Sequence, residues 1–80
     1  MQLDLHFELE GRELVVRVAR LGHRWSAIVC EGDRAISSVG YALPEDDELG
    51  ADVVPAIGAL MRLMRDDALS GVIELLPRLQ

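Results

Sequence analysis

Residues 3–36 read LDLHFELEGRELVVRVARLGHRWSAIVCEGDRAI, and three glycines, Gly11, Gly22 and Gly32, cut the first forty residues into four pieces of near-equal length. Each glycine precedes a polar residue: Arg12, His23 or Asp33. In the first piece, Leu3, Leu5, Phe7 and Leu9 alternate with Asp4, His6 and Glu8, the period of a strand with one buried face. A Gly-X pair supplies the positive φ that a two-residue type II′ hairpin turn requires. The pattern therefore predicts a four-stranded antiparallel meander over residues 1–43.

The turns predict a register. With Gly11 and Arg12 in the first turn, Leu9 faces Leu14, Phe7 faces Val16, Leu5 faces Val18, and Glu10 sits opposite Glu13. At Gly22 and His23 the same rule pairs Val16 with Val29, Val18 with Ala27, and Arg20 with Trp25. At Gly32 and Asp33 it pairs Glu31 with Arg34, Val29 with Ile36, and Trp25 with Gly40. Inward residues meet inward residues throughout, which is what a fixed register demands. Ser38 and Gly40 become small inward positions where another element can approach. The outer face then carries Val15, Ala19, Ile28, Cys30, Ala35, Val39 and Tyr41, with His6, Arg17, Ser26 and Ser37 among them. A solvated sheet face is usually more polar. Val15, Ile28, Cys30, Val39 and Tyr41 are accordingly the candidate partner or dimer interface.

Pro44 closes the sheet region, and residues 44–51 form an acidic loop. Asp52 is an expected N-cap, with Pro55 in the first helical turn. Residues 53, 57, 60, 61 and 64 recur on one helical face. Asp66 and Asp67 are expected to interrupt the helix, and a second helix is predicted over 68–76. The rival reading makes 72–76 a fifth strand after Ser70 and Gly71. The expected fold is α+β: one domain, residues 1–80, of order ββββαα, with helices from the segment 52–80 packed on one sheet face.

Composition narrows the function classes. The formal net charge is −6, from fourteen acids and eight bases, and all eight bases are arginine. Residues 12–24 carry a net +3 and residues 31–52 a net −6. An acidic chain is a poor binder of the phosphate backbone, so direct nucleic-acid binding is not expected. The chain has no apolar run of membrane-spanning length, and its first residues have no signal-peptide pattern. Cys30 is the single cysteine, so a reducing, cytoplasmic setting is expected. No zinc-ligand spacing, phosphate-binding glycine loop or nucleophile with a base and orienter stands out, so neither catalysis nor a cofactor or metal is expected.

Glu45, Asp46, Asp47, Glu48 and Asp52 place five carboxylates in eight residues. They complement the following helix dipole as a solvated loop, and they also offer a negative surface to a basic protein. His6 and Arg17, taken as cross-strand neighbours, are the one candidate anion site. A meander followed by a helix is similar to small antitoxins of the HicB type and to several phage-encoded inhibitors, and no site residue is carried over from that likeness. The expectation is a non-enzymatic protein-binding module. Its most specific form is a phage or mobile-element inhibitor of the anti-CRISPR kind, blocking a basic, nucleic-acid-binding surface. An antitoxin or immunity-type partner and a small-ligand domain are the alternatives. Apolar area on two faces leads us to expect a homodimer.

Overall fold

The computed structural model describes residues 2–44 and 53–77. Three long strands, β1 (Gln2–Leu9), β2 (Arg12–Leu21) and β3 (Arg24–Glu31), run antiparallel in sequence order. The fourth position is split between two short strands, β4 (Arg34–Ala35) and β5 (Tyr41–Ala42), both paired with β3. One helix, α1 (Val53–Ser70), packs on a single face of this sheet. The architecture is α+β, an antiparallel meander with a C-terminal helix.

The core lies between that sheet face and α1. Leu14, Val16 and Val18 from β2, Trp25, Ala27 and Val29 from β3, and Ile36 beyond β4 meet Ile57, Leu60, Met64 and Ala68 from the helix. The helical residues recur at three- and four-residue spacing, which lines them on one stripe. Leu3, Leu5, Phe7 and Leu9 of β1 pack at the margin of this core and stay partly exposed. No polar or charged residue is buried among those described.

The second and third turns match the register expected from the sequence. Val16 pairs with Val29, Val18 with Ala27, and Arg20 with Trp25. Glu31 pairs with Arg34. Gly22 and Gly32 take φ of 65° and 62°, while His23 and Asp33 keep negative φ, the sign pattern of a type II′ turn. The first turn differs. Its central residues are Glu10 and Gly11, at φ 52° and 78°, so both are left-handed, as type I′ requires. Register moves by two residues: Leu9 pairs with Arg12, Phe7 with Leu14, Leu5 with Val16, and Leu3 with Val18. An even slip keeps every face. It also brings Asp4 opposite Arg17 and gives Leu3 an apolar partner. The like-charge pair becomes Glu8 with Glu13.

The fourth strand leaves the sheet after Ile36. The Ile36 N–H still donates to the Val29 carbonyl at 2.9 Å, but the Ile36 carbonyl accepts from Leu76 N–H at 2.8 Å. Ser37 bridges to Leu75, and Ser38 N–H donates to the Glu74 carbonyl. The chain rejoins β3 at Tyr41, which pairs with Ala27, while Leu43 N–H donates to the Trp25 carbonyl. Three residues are thereby added relative to a continuous hairpin, and an odd insertion reverses the faces. Tyr41 therefore faces the helix rather than the outer side, which corrects its assignment to the outer face. Gly40 does not pair with Trp25. It lies against Ala27 instead, where a Cβ would come within 3.3 Å of the Ala27 carbonyl oxygen. Ser38 is exposed, and the element that approaches here is the C-terminal segment, through its backbone.

The helix is continuous across Asp66 and Asp67, and among the described residues no second helix follows. Each aspartate costs at most several tenths of a kcal/mol in helix propensity, about 0.7 or less. Asp66 pairs with Arg65, and the Asp67 carboxylate accepts from Tyr41. Gly71, at φ 84°, ends α1: its N–H donates to the Ala68 carbonyl and Val72 N–H to that of Asp67. This is the paired bonding of a Schellman cap. Beyond it, Glu74, Leu75 and Leu76 bond or bridge to Ser38, Ser37 and Ile36, so the strand reading of this segment is the nearer one. Among the described residues no helix is long and apolar enough to cross a membrane.

Candidate interaction surface

The sheet face opposite α1 is built from cross-strand rows. One row runs His6, Val15, Cys30, Ala35 from β1 to β4. The next runs Asp4, Arg17, Ile28, and a third runs Ala19, Ser26, Ala42. Glu8 and Glu13 close the face near the first turn. Alternation puts all of these on the side away from the core. Among the described residues no helix or second sheet lies over them.

The face has an apolar centre and a charged margin. Val15 and Cys30 are only 4% and 3% exposed. Ile28, Ala19 and Ser26 are half-buried; Ala35 and Ala42 are exposed. Asp4, His6, Glu8 and Glu13 are exposed at one side. Arg17 Nε lies 3.4 Å from Asp4 Oδ1, an ion pair stretched along the margin. Val39, 50% exposed, sits on the excursion between β4 and β5. Of the five expected interface residues, Val15, Ile28 and Cys30 share the face, Val39 lies on the excursion, and Tyr41 points to the other side. Glu45, Asp46, Asp47, Glu48 and Asp52 lie outside the described residues.

The catalytic possibilities can be read from the same rows. His6 and Cys30 share a row, but Val15 stands between them, leaving about 10 Å between their strands. Burial pushes the Cys30 thiol above its ordinary range, and the nearby Arg17 charge opposes this only in part. A neutral, covered thiol is a poor nucleophile. Ser37 Oγ is already engaged, accepting from Val29 N–H at 3.1 Å. His6 and Arg17 are not directly opposed, because the two-residue slip gives Arg17 to Asp4. The depression beside His6, about 440 Å³, is lined by Glu8 and Glu13 together with Phe7 and Leu14. Two carboxylates there disfavour an anion. Among the described residues no group of three or more His, Cys, Asp or Glu could hold a metal ion.

Two polar anchors are absent from the sequence-based expectations. Arg12 Nε and Nη2 bond both Glu31 carboxylate oxygens, at 3.2 and 3.0 Å, and Nη2 also reaches the Leu76 carbonyl at 2.9 Å. The Glu31 carboxylate holds the Arg12 guanidinium further into its charged form. The signal is present in the sequence: Arg12 and Glu31 both fall on the inner alternation of their strands, where a charge needs a partner. The second anchor, Tyr41 with Asp67, depends on the excursion after Ile36 and leaves no local mark. Comparison with protein-family models, curated proteins and solved structures finds no match to this chain.

Proposed function

We propose that the chain is a non-enzymatic protein-binding module that docks through the sheet face opposite its helix. The observation that carries this reading is the face around half-buried Ile28 and exposed Ala35, floored by the buried Val15 and Cys30: an apolar centre, a charged margin, and no helix or second sheet above it among the described residues. Protein interfaces share that anatomy, an apolar core within a polar rim.

In its most specific form the module is a phage or mobile-element inhibitor of the anti-CRISPR kind. The net charge of −6 and the carboxylates of Glu45, Asp46, Asp47, Glu48 and Asp52 supply the complement to a basic, nucleic-acid-binding surface. The sheet face supplies the contact that negative charge alone lacks.

The test is a DNA-binding competition with purified RNA-guided effector complexes. The chain is added as wild type, as the five-fold acid-to-amide variant, and as Ile28→Glu. Loss of competition in the amide variant, with fold retained, supports the inhibitor reading. No competition by the wild type against any effector overturns it.

The outer face also favours a second reading, an antitoxin or immunity-type protein masking a cognate toxin. In that case the amide variant keeps neutralising a toxin encoded beside the gene, while Ile28→Glu and Val39→Glu do not.

A further inference from the structure

We infer that β1 is the contact edge of a symmetric homodimer, in which Asp4 of each copy pairs with His6 of the other and Leu5 meets its own copy at the two-fold axis. The two edges of the sheet are treated differently. At one edge β4 and β5 are two residues each, the chain bulges away between them, and residues 72–77 lie against Ser37. Such interruptions prevent further pairing. At the other edge β1 is eight residues long, without proline, lysine or bulge. Among the described residues no strand pairs with its far side.

The backbone groups that face outward are fixed by the first turn. The pair flanking a two-residue loop exchanges both hydrogen bonds, so Leu9 bonds to Arg12, and the bonded pairs continue at Phe7, Leu5 and Leu3. The N–H and C=O groups of Glu8, His6 and Asp4 then point to the open edge. An antiparallel partner strand must bond to these.

Charge selects the register. Side chains opposite each other must share a face, so only even registers keep apolar residues against apolar residues. Centring on Asp4 opposes Asp4 to itself. Centring on His6 opposes Asp4 to Glu8. Centring on Leu5 opposes Asp4 to His6 twice, Leu3 to Phe7 twice, and Leu5 to Leu5. Centring on Phe7 opposes His6 to Glu8 but also Asp4 to Glu10, so only the Leu5 register sets acid against base at the centre without opposing acid to acid. It also covers the partly exposed inner row Leu3, Leu5, Phe7 and Leu9, which α1 reaches less than it reaches β2 or β3. The two outer faces become one continuous surface, but the inference rests on the β1 edge and stands or falls independently of any docked partner.

Light scattering on a sizing column should give twice the 8.8 kDa chain mass for the wild type. His6→Asp places acids opposite Asp4 and should yield the monomer. The double exchange Asp4→His with His6→Asp restores the complement and should restore the dimer. His6→Pro removes one edge donor without touching the bonds to β2 and should also yield the monomer. If that variant fails to fold by circular dichroism, the exchange pair decides the matter. Leu5→Cys in a Cys30→Ala background should cross-link to itself under oxidation. Opposed residues in a non-bonded pair lie about 4.5 Å apart at Cα, within disulfide reach. A monomeric wild type, a dimer indifferent to His6→Asp, a failed exchange, or no cross-link at residue 5 overturns the inference.

Discussion

The Tyr41 hydroxyl donates a hydrogen bond to the Asp67 carboxylate, tying the last strand to the helix it faces. The Asp67 backbone carbonyl accepts bonds that end α1, so this one aspartate fixes both the helix terminus and its seat on the sheet. The hydrogen bond, with burial and the carboxylate charge behind it, raises the tyrosine above its ordinary value of 10.0. Tyr41 is the chain's single tyrosine, so tyrosinate absorbance reports it alone.

The folded chain should therefore titrate later than the unfolded chain. The sign follows from linkage: a group that holds its proton longer when folded contributes fully below its unfolded value. That contribution fades as pH rises through the folded value. Asp67→Asn removes the charge and should move the midpoint back toward 10. An unchanged midpoint would mean that the pair does not persist in solution.

The Arg12 anchor predicts a defect with a particular address. Its side chain is 13% exposed and that of Glu31 is 23% exposed, so the pair is partly sheltered from screening. Arg12→Lys keeps a charge but cannot fork across two carboxylate oxygens and a carbonyl at once. We expect it to cost about 1 kcal/mol and Arg12→Ala about 1–3. Both should speed hydrogen exchange in residues 72–77, because the Leu76 carbonyl loses a tie. Arg65→Ala removes an exposed pair and should cost less than about 0.5 kcal/mol. Equal costs for Arg12→Ala and Arg65→Ala in urea titrations would count against the anchor.

Ser37 repairs the sheet where the chain leaves it. Because the Ile36 carbonyl is given to Leu76, the N–H of fully buried Val29 would lack its strand partner, and Ser37 Oγ takes that place. Ser37→Ala strands a buried donor and should destabilise by about 1–3 kcal/mol. Ser37→Thr keeps the hydroxyl and should recover most of it. The readouts are the urea midpoint and the exchange rate of the Val29 amide.

These anchors show what the sequence could and could not reveal. The turns at Gly22 and Gly32 were legible because an odd error would have put Arg17 and Ser26 into the core. The slip at Glu10 and Gly11 was not, since a two-residue shift preserves every face and apolar alternation cannot distinguish the two. The reversal at Tyr41 was hidden for a different reason. It arises where Ile36 turns to Leu76, a contact between segments far apart in the chain, and no local pattern encodes it. The outer face survived in Val15, Ile28 and Cys30 because all three lie before that point.

Cys30 should behave as a structural thiol. It is 3% exposed, and burial raises its pKa, so little thiolate is present near neutral pH. Modification by a thiol reagent should be slow in the native state and should accelerate in urea along the unfolding curve. Cys30→Ser exchanges a buried, weakly polar sulfur for a hydroxyl and should cost about 1–3 kcal/mol unless the hydroxyl finds an acceptor. Cys30→Ala should preserve partner binding if the face contacts its partner through Ile28. Rapid native-state labelling would reopen the thiol as a reactive group.

Glu10 offers the opposite kind of test, a substitution that should strengthen the fold. At φ 52° it is the only non-glycine residue with positive φ among those described. A glutamate side chain is disfavoured in that region, whereas asparagine tolerates it and glycine enters without steric cost. Asn-Gly is also the preferred pair for a type I′ hairpin. Glu10→Asn should stabilise by about 0.5–1 kcal/mol, and Glu10→Gly by less, because glycine adds freedom to the unfolded chain. Gly11→Ala, at φ 78° with open space around its Cβ, should destabilise through backbone strain rather than collision. If the turn were instead centred on Gly11 and Arg12, Glu10 would occupy an ordinary strand position. Glu10→Asn would then weaken the hairpin, so the sign of its urea-midpoint shift decides between the two registers.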